Sequence, residues 1–229
     1  MDDDADAALV AALRAKVGAL REAAPSSPQA EAAALRAWLA TARDLPPGML
    51  VRAWREAEGA ARPAAVAVWG SAATAELARR RFGAAARLRP ATTPQDALST
   101  ARSGGLAVLA LDPSSAWWGR LLAEPGLSAF AILPELGAEG GAQALAVGPW
   151  PTEPAGHEET LWVTDSAAAP DAVEDHLGRA GLAARLLTQA GGLKLFALAG
   201  YVQREDGRLA GAPGRLTGVV GAVPLPFDL

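Results

Sequence analysis

Alanine sets the terms for this chain. It supplies 57 of 229 residues, while larger apolar residues are few: 31 Leu, 13 Val, one Ile (Ile132) and four Phe. Alanine favours helix and lets backbones approach, but each one removes little area from water. A core built on it needs close packing and a few bulky anchors. The seven Trp are the residues available for that role. The length suffices for one large or two small domains with a true core.

Other residue types narrow the chemistry. Only Lys16 and Lys194 among the 21 basic residues are lysines, and the net charge is -4. A broad basic surface for nucleic acid is therefore not expected. The chain has no Cys, which excludes thiol nucleophiles, disulfides and Cys-based zinc sites. Its two His, at 157 and 176, stand in different segments, so no metal or other cofactor is expected. Met1-Asp2-Asp3-Asp4 is acidic, the opposite of a signal peptide, and no apolar run approaches a membrane span. These features point to a cytoplasmic setting with no membrane partner.

Residues 7–62 read as helices. Leu9, Leu13, Val17 and Leu20 fall on one helical face. Pro25-Ser26-Ser27-Pro28 breaks that helix and starts a second, which carries Leu35, Trp38 and Leu39 inward. Pro46-Pro47 starts a third, with Leu50 and Trp54 inward and Arg52 and Arg55 toward solvent or a site. Exposed Leu and Trp on these helices invite a homodimer.

At Ala64 the pattern changes to strand–helix–strand. Val66–Trp69, Ala86–Leu88 and Leu106–Leu111 read as strands, separated by helices at Ala72–Phe82 and from Thr93-Pro94 to Ser103. That order implies a parallel sheet with right-handed crossovers. Phe130–Leu133 and Gln143–Val147 follow as strands. After a linker-like stretch at 149–156, Thr160–Thr164, Ala183–Leu187, Leu193–Val202 and Leu216–Val223 read as strands and Pro170–Arg179 as a helix. The expected fold is mixed α/β in three units. These are an N-terminal helical segment (1–62), a central three-layer α/β unit with a mostly parallel sheet (63–150), and a small C-terminal α+β unit (151–229).

Two loops fall at the carboxyl ends of strands, where open α/β sheets bind ligands. Gly70-Ser71-Ala72-Ala73-Thr74 opens a helix, so either Ser71 caps it, or Ser71 and Thr74 help hold a carboxylate or phosphate. Asp112-Pro113-Ser114-Ser115 follows the third strand: either Asp112 or Ser114 caps the next helix, or Ser114 and Ser115 help line a pocket. Trp117-Trp118 reads as core, with an aromatic-ligand wall as the alternative.

Several segments, in order, resemble the chorismate mutase/prephenate dehydratase family in its high-GC bacterial form. They are Leu13-Arg14, Glu31-Ala-Ala-Ala-Leu-Arg36, Leu50-Val-Arg-Ala-Trp-Arg-Glu56, Val66-Ala-Val, Phe82-Gly83, Trp117-Trp118, Gly200-Tyr201-Val202 and Gly221-Ala-Val-Pro-Leu225. The resemblance implies a mutase-like helical segment, a prephenate-dehydratase-like central unit and an ACT-like tail. It implies Arg14 and Glu31 as catalytic residues for the rearrangement of chorismate to prephenate in aromatic amino-acid synthesis. Arg52 and Arg55 stand as possible carboxylate partners, and dehydratase activity is not expected. The site is much reduced: Ala30 replaces the Arg that precedes the family's Glu, and the Gln near the end of the third helix falls at about Ala61. The alternative is a catalytically inactive descendant, a pseudoenzyme. It would bind a small anionic metabolite, chorismate- or prephenate-like, at Ser71, Thr74, Ser114 and Ser115, or act as a partner subunit.

Overall fold

The structure, a computed structural model, describes residues 27–41, 45–137 and 141–227, together with Ala11, Ala15, Gly18 and Ala19. The first-helix face of Leu9, Leu13, Val17 and Leu20 lies outside the described residues. The first helices whose bounds are described are α1 (Pro28–Thr41) and α2 (Pro47–Ala61). Each begins at a proline, whose missing N–H costs nothing in the first turn.

Three strands and two helices follow: β1 (Ala65–Trp69), α3 (Ala72–Phe82), β2 (Arg87–Pro90), α4 (Pro94–Arg102) and β3 (Leu106–Ala110). The chain continues through a 3-10 turn at Trp117–Ala123 into β4 (Ser128–Leu133) and β5 (Ala144–Gly148). Then come β6 (Glu158–Thr164), α5 (Pro170–Arg179), β7 (Ala184–Ala190), β8 (Leu193–Ala199) and β9 (Thr217–Pro224).

Among the described residues nine strands share one sheet, in the order β2-β1-β3-β5-β4-β9-β6-β8-β7. β1 pairs in parallel with β2 and β3, as two crossovers require. The sheet as a whole is mixed; within 63–150, where a mostly parallel sheet is expected, β1, β2, β3 and β4 run one way and β5 the other. β5 runs antiparallel to both β3 and β4. The connection from β4 to β5 is too short for a crossover, which needs a dozen residues or more. β6 pairs antiparallel with β8 and β9, and β7 with β8. β9 closes the join by lying parallel to β4 at Ala129↔Gly221 and antiparallel to β6.

Helices cover both faces because strand side chains alternate. Ala67, Leu109, Leu145 and Val147 face α4 and the 3-10 turn, packing with Ala97, Leu98, Trp117, Trp118 and Leu121. Val66, Val68, Val108 and Ala146 face α3, packing with Leu77, Ala78 and Phe82. Fully burying each such Leu or Phe contributes about 1.5–3 kcal/mol. The tryptophans are anchors here: Trp117 and Trp118 meet edge to face at 6.1 Å, and both are buried. α5 covers Trp162 and Phe196 farther along the sheet.

Small residues let the layers close up. Gly59 on α2 sits so near the end of α3 that a Cβ there would lie 2.4 Å from the Phe82 carbonyl oxygen. α1 and α2 are held in turn by Ala32, Leu35, Val51 and Trp54, packed on Phe227.

Candidate functional site

The residues singled out in the sequence divide between two places. Arg14 lies outside the described residues. Arg52 is exposed, and its Nε donates to the Gly48 carbonyl one turn back. Arg55, three positions on, points the other way and is buried. Its Nε and Nη2 donate to the two carboxylate oxygens of Glu135 at 2.9 and 2.7 Å, and its Nη1 to Glu58 at 2.7 Å. Burial alone would lower its pKa; Glu135 and Glu58 outweigh burial and raise it. This guanidinium is a structural ion, with its fork already filled by protein carboxylates.

Glu31 completes that cluster from α1. Its Oε2 lies 3.9 Å from Arg55 Nη1 and 3.5 Å from Arg81 Nη2. Arg81 in turn places Nε 3.1 Å from Glu135 Oε1. Burial raises the Glu31 pKa above its ordinary value, and Glu58 adds to that, against the pull of Arg81 and Arg55. Three carboxylates and two guanidiniums thus tie α1, α2, α3 and the loop after β4 together. Glu58 and Glu135 carried no sequence signal: each is one charge among many, and only the fold collects them.

The second place is the carboxyl edge of β1, β2 and β3. Ser71 stands at the α3 N-cap position, exposed, with no side-chain hydrogen bond to the helix. Thr74 is buried beneath Gly70, whose positive φ of 139° swings the loop over it. A Cβ on Gly70 would sit 2.4 Å from Thr74 Oγ1. Ser114 is exposed, and its N–H donates to Asp112 Oδ1 at 2.7 Å. The hydrogen bonds from Ser114 hold the Asp112 carboxyl below its ordinary pKa.

Ser115 alone of these four lines a cleft of about 430 Å³, with Thr93, Pro94, Gln95, Ala116, Trp117 and Arg120. α4 begins there, and Thr93 caps it by accepting the Asp96 N–H at 3.1 Å. Arg120 is exposed, and its Nη1 donates to Gln95 Oε1 at 3.0 Å. Trp117 is fixed by a 2.7 Å bond from its indole N–H to the Ala110 carbonyl. Among the described residues the lining therefore carries one guanidinium, hydroxyl and amide groups, an indole and no carboxylate. Sequence reasoning missed Arg120 and Gln95, which are 25 residues apart and meet only because α4 and the 3-10 turn share one face.

The class that fold and cleft define is a mixed α/β protein with a polar cleft at the carboxyl edge of its parallel strands. No family model matches the chain, and no curated protein matches it. Among solved structures it is similar to GqqA, described as a novel type of quorum-quenching acylase, at 18% identity and a TM-score of 0.47, covering 70% of this chain and 94% of that one. It is also similar to prephenate dehydratase from Streptococcus mutans, at 16% identity and a TM-score of 0.40, covering 71% of this chain and 99% of that one. Neither neighbour's activity transfers to this chain at these values. Among the described residues no helix is long and apolar enough to cross a membrane, and no group of His, Asp and Glu could hold a metal ion.

Proposed function

We propose that this chain binds a small anionic metabolite of the chorismate or prephenate type, in the cleft at the carboxyl edge of β1–β3, without transforming it. The observation that carries the reading is the charge of the lining among the described residues: one guanidinium, Arg120, and no carboxylate. An Arg fork grips a carboxylate through two parallel charge-assisted bonds. Ser115 supplies a hydroxyl beside it, and Trp117 a flat wall for a ring. Prephenate titrated into the protein by calorimetry should bind, and Arg120→Ala should remove the binding. Absence of binding to the unaltered protein at millimolar prephenate would sink this reading.

The second reading is rearrangement of chorismate by Arg14 and Glu31, in a chain of aromatic amino-acid synthesis with mutase-like, dehydratase-like and ACT-like parts at 1–62, 63–150 and 151–229. It is favoured by the family resemblance and by Glu31 standing beside two guanidiniums. Against it, Arg55 is taken up by Glu135 and Glu58, and Arg52 faces solvent. Loss of chorismate absorbance, abolished by Arg14→Ala, is the result that would favour it over binding alone.

A further inference from the structure

The cleft at Arg120 has a polarity, set by which of its polar atoms are already engaged. Arg120 Nη1 donates to Gln95 Oε1 at 3.0 Å. Among the described residues this is the one bond its guanidinium makes, so Nε–H and the Nη2 hydrogens stay available. Arg55 is the contrast, with its fork filled by Glu135 and Glu58.

The same bond fixes Gln95. An amide turns its oxygen to a guanidinium, because facing donors repel. The amide nitrogen and its N–H groups are left over, and among the described residues they have no protein partner. Thr93 stands alike: its Oγ1 accepts the Asp96 N–H at 3.1 Å, which leaves its O–H to donate. The side-chain acceptors at the start of α4 are thus engaged while the donors stand open. Among the described lining, the Ser115 hydroxyl can turn either way.

We infer that Gln95 makes this cleft selective for 2-oxo carboxylates over α-amino acids, by holding Arg120 and offering its own amide N–H groups to the oxo oxygen. A 2-oxo carboxylate presents acceptors on adjacent carbons. An α-amino acid instead sets an ammonium, a cation with donors alone, beside Arg120 and beside open N–H groups. Discrimination comes from that unpaired contact as much as from the good one. The inference rests on the cleft being an anion site and narrows its ligand: prephenate carries a 2-oxo acid, and chorismate does not.

The test is calorimetric titration of the full chain with prephenate, phenylpyruvate, L-phenylalanine and 3-phenylpropanoate. The last three differ at the carbon next to the carboxylate, which bears an oxo group, an ammonium or neither. Phenylpyruvate binds most tightly of these three, and L-phenylalanine at least about tenfold more weakly. Gln95→Glu keeps an oxygen for Arg120 but removes the N–H groups, and it narrows that preference to below about twofold or reverses it. Gln95→Met adds no charge, and it brings phenylpyruvate to within about twofold of 3-phenylpropanoate. Thermal melts report that both variants keep the fold. A residue that merely supported the fold would weaken every ligand alike. Phenylpyruvate bound no tighter than the other two, while prephenate binds through Arg120, overturns the inference and leaves the anion site standing. So does a preference kept in either variant, or loss of every ligand in both. No binding of prephenate to the unaltered protein overturns the anion site itself, and the inference with it.

Discussion

Arg55 on α2 and Glu135 in the loop after β4 face each other through two hydrogen bonds, 2.9 and 2.7 Å long, with the arginine only 1% exposed. The pair joins the helices to the sheet from within. Removing one partner of a buried pair strands the other charge, at a cost of about 3–5 kcal/mol. Arg55→Ala should lower stability in urea by that amount. Arg55→Lys should recover little of it, since an ammonium cannot fill both carboxylate oxygens through a planar fork. An Arg55→Ala protein as stable as the unaltered chain would mean that the cluster is not structural.

Arg52 is the contrast. Exposed, and bonded among the described residues to the carbonyl of its own helix, it should tolerate Ala with a change within about 0.5 kcal/mol. The same urea titration checks it, and prephenate affinity should not move.

Much of this architecture was legible beforehand. Val66–Trp69 and Leu106–Leu111 announced strands by composition, and Thr93-Pro94 announced the start of α4, because these signals are local. Trp117-Trp118 read as core for the sound reason that few other residues are large. What was not legible was long-range. β9 sits between β4 and β6 only because Gly221 admits the backbone of Ala129. The pairing of Arg55 with Glu135 spans 80 residues and depends on which face of α2 turns inward. Within the site, Ser71, Thr74 and Ser114 were nominated by loop position, yet burial of Thr74 and the outward set of the other two leave Ser115 with Arg120. Loop position predicts the edge on which a side chain stands, not the direction it takes.

Gly221 gives the third prediction. A Cβ there would lie 2.2 Å from the Ala129 carbonyl oxygen, a backbone atom with no freedom to withdraw. Gly221→Ala should part β4 from β9 and destabilise by at least about 1–3 kcal/mol, the usual cost of overpacking. Hydrogen exchange should then accelerate at β4 and β9 before it does at β1. Uniform protection in the variant would contradict the close approach.

Acid and neutral limbs of the stability profile should carry opposite signatures. Burial raises the Glu31 pKa, so the folded chain holds that proton more tightly than the unfolded one. Its contribution is fully present below the ordinary carboxylate value and is lost as pH rises through the folded value. Glu31→Gln stays uncharged, so its stability relative to the unaltered protein should rise with pH across that window. Asp165 behaves oppositely. It accepts the N–H groups of Leu216 and Arg215 at 2.9 and 2.7 Å, and these bonds hold its pKa low. Its contribution is present above the ordinary value and is lost as pH falls through the folded one. Asp165→Asn should flatten the acid limb, and chemical denaturation at stepped pH reads both.

On the proposed reading, the cleft at Arg120 binds a small anion that the chain leaves unchanged. The direct measurement follows chorismate and prephenate in one series, by calorimetry for binding and by absorbance for turnover, with Arg120→Ala and Arg14→Ala beside the unaltered protein. Binding should be removed by Arg120→Ala and spared by Arg14→Ala, with chorismate absorbance constant at high protein concentration. Steady loss of chorismate, stopped by Arg14→Ala and indifferent to Arg120→Ala, would contradict this reading.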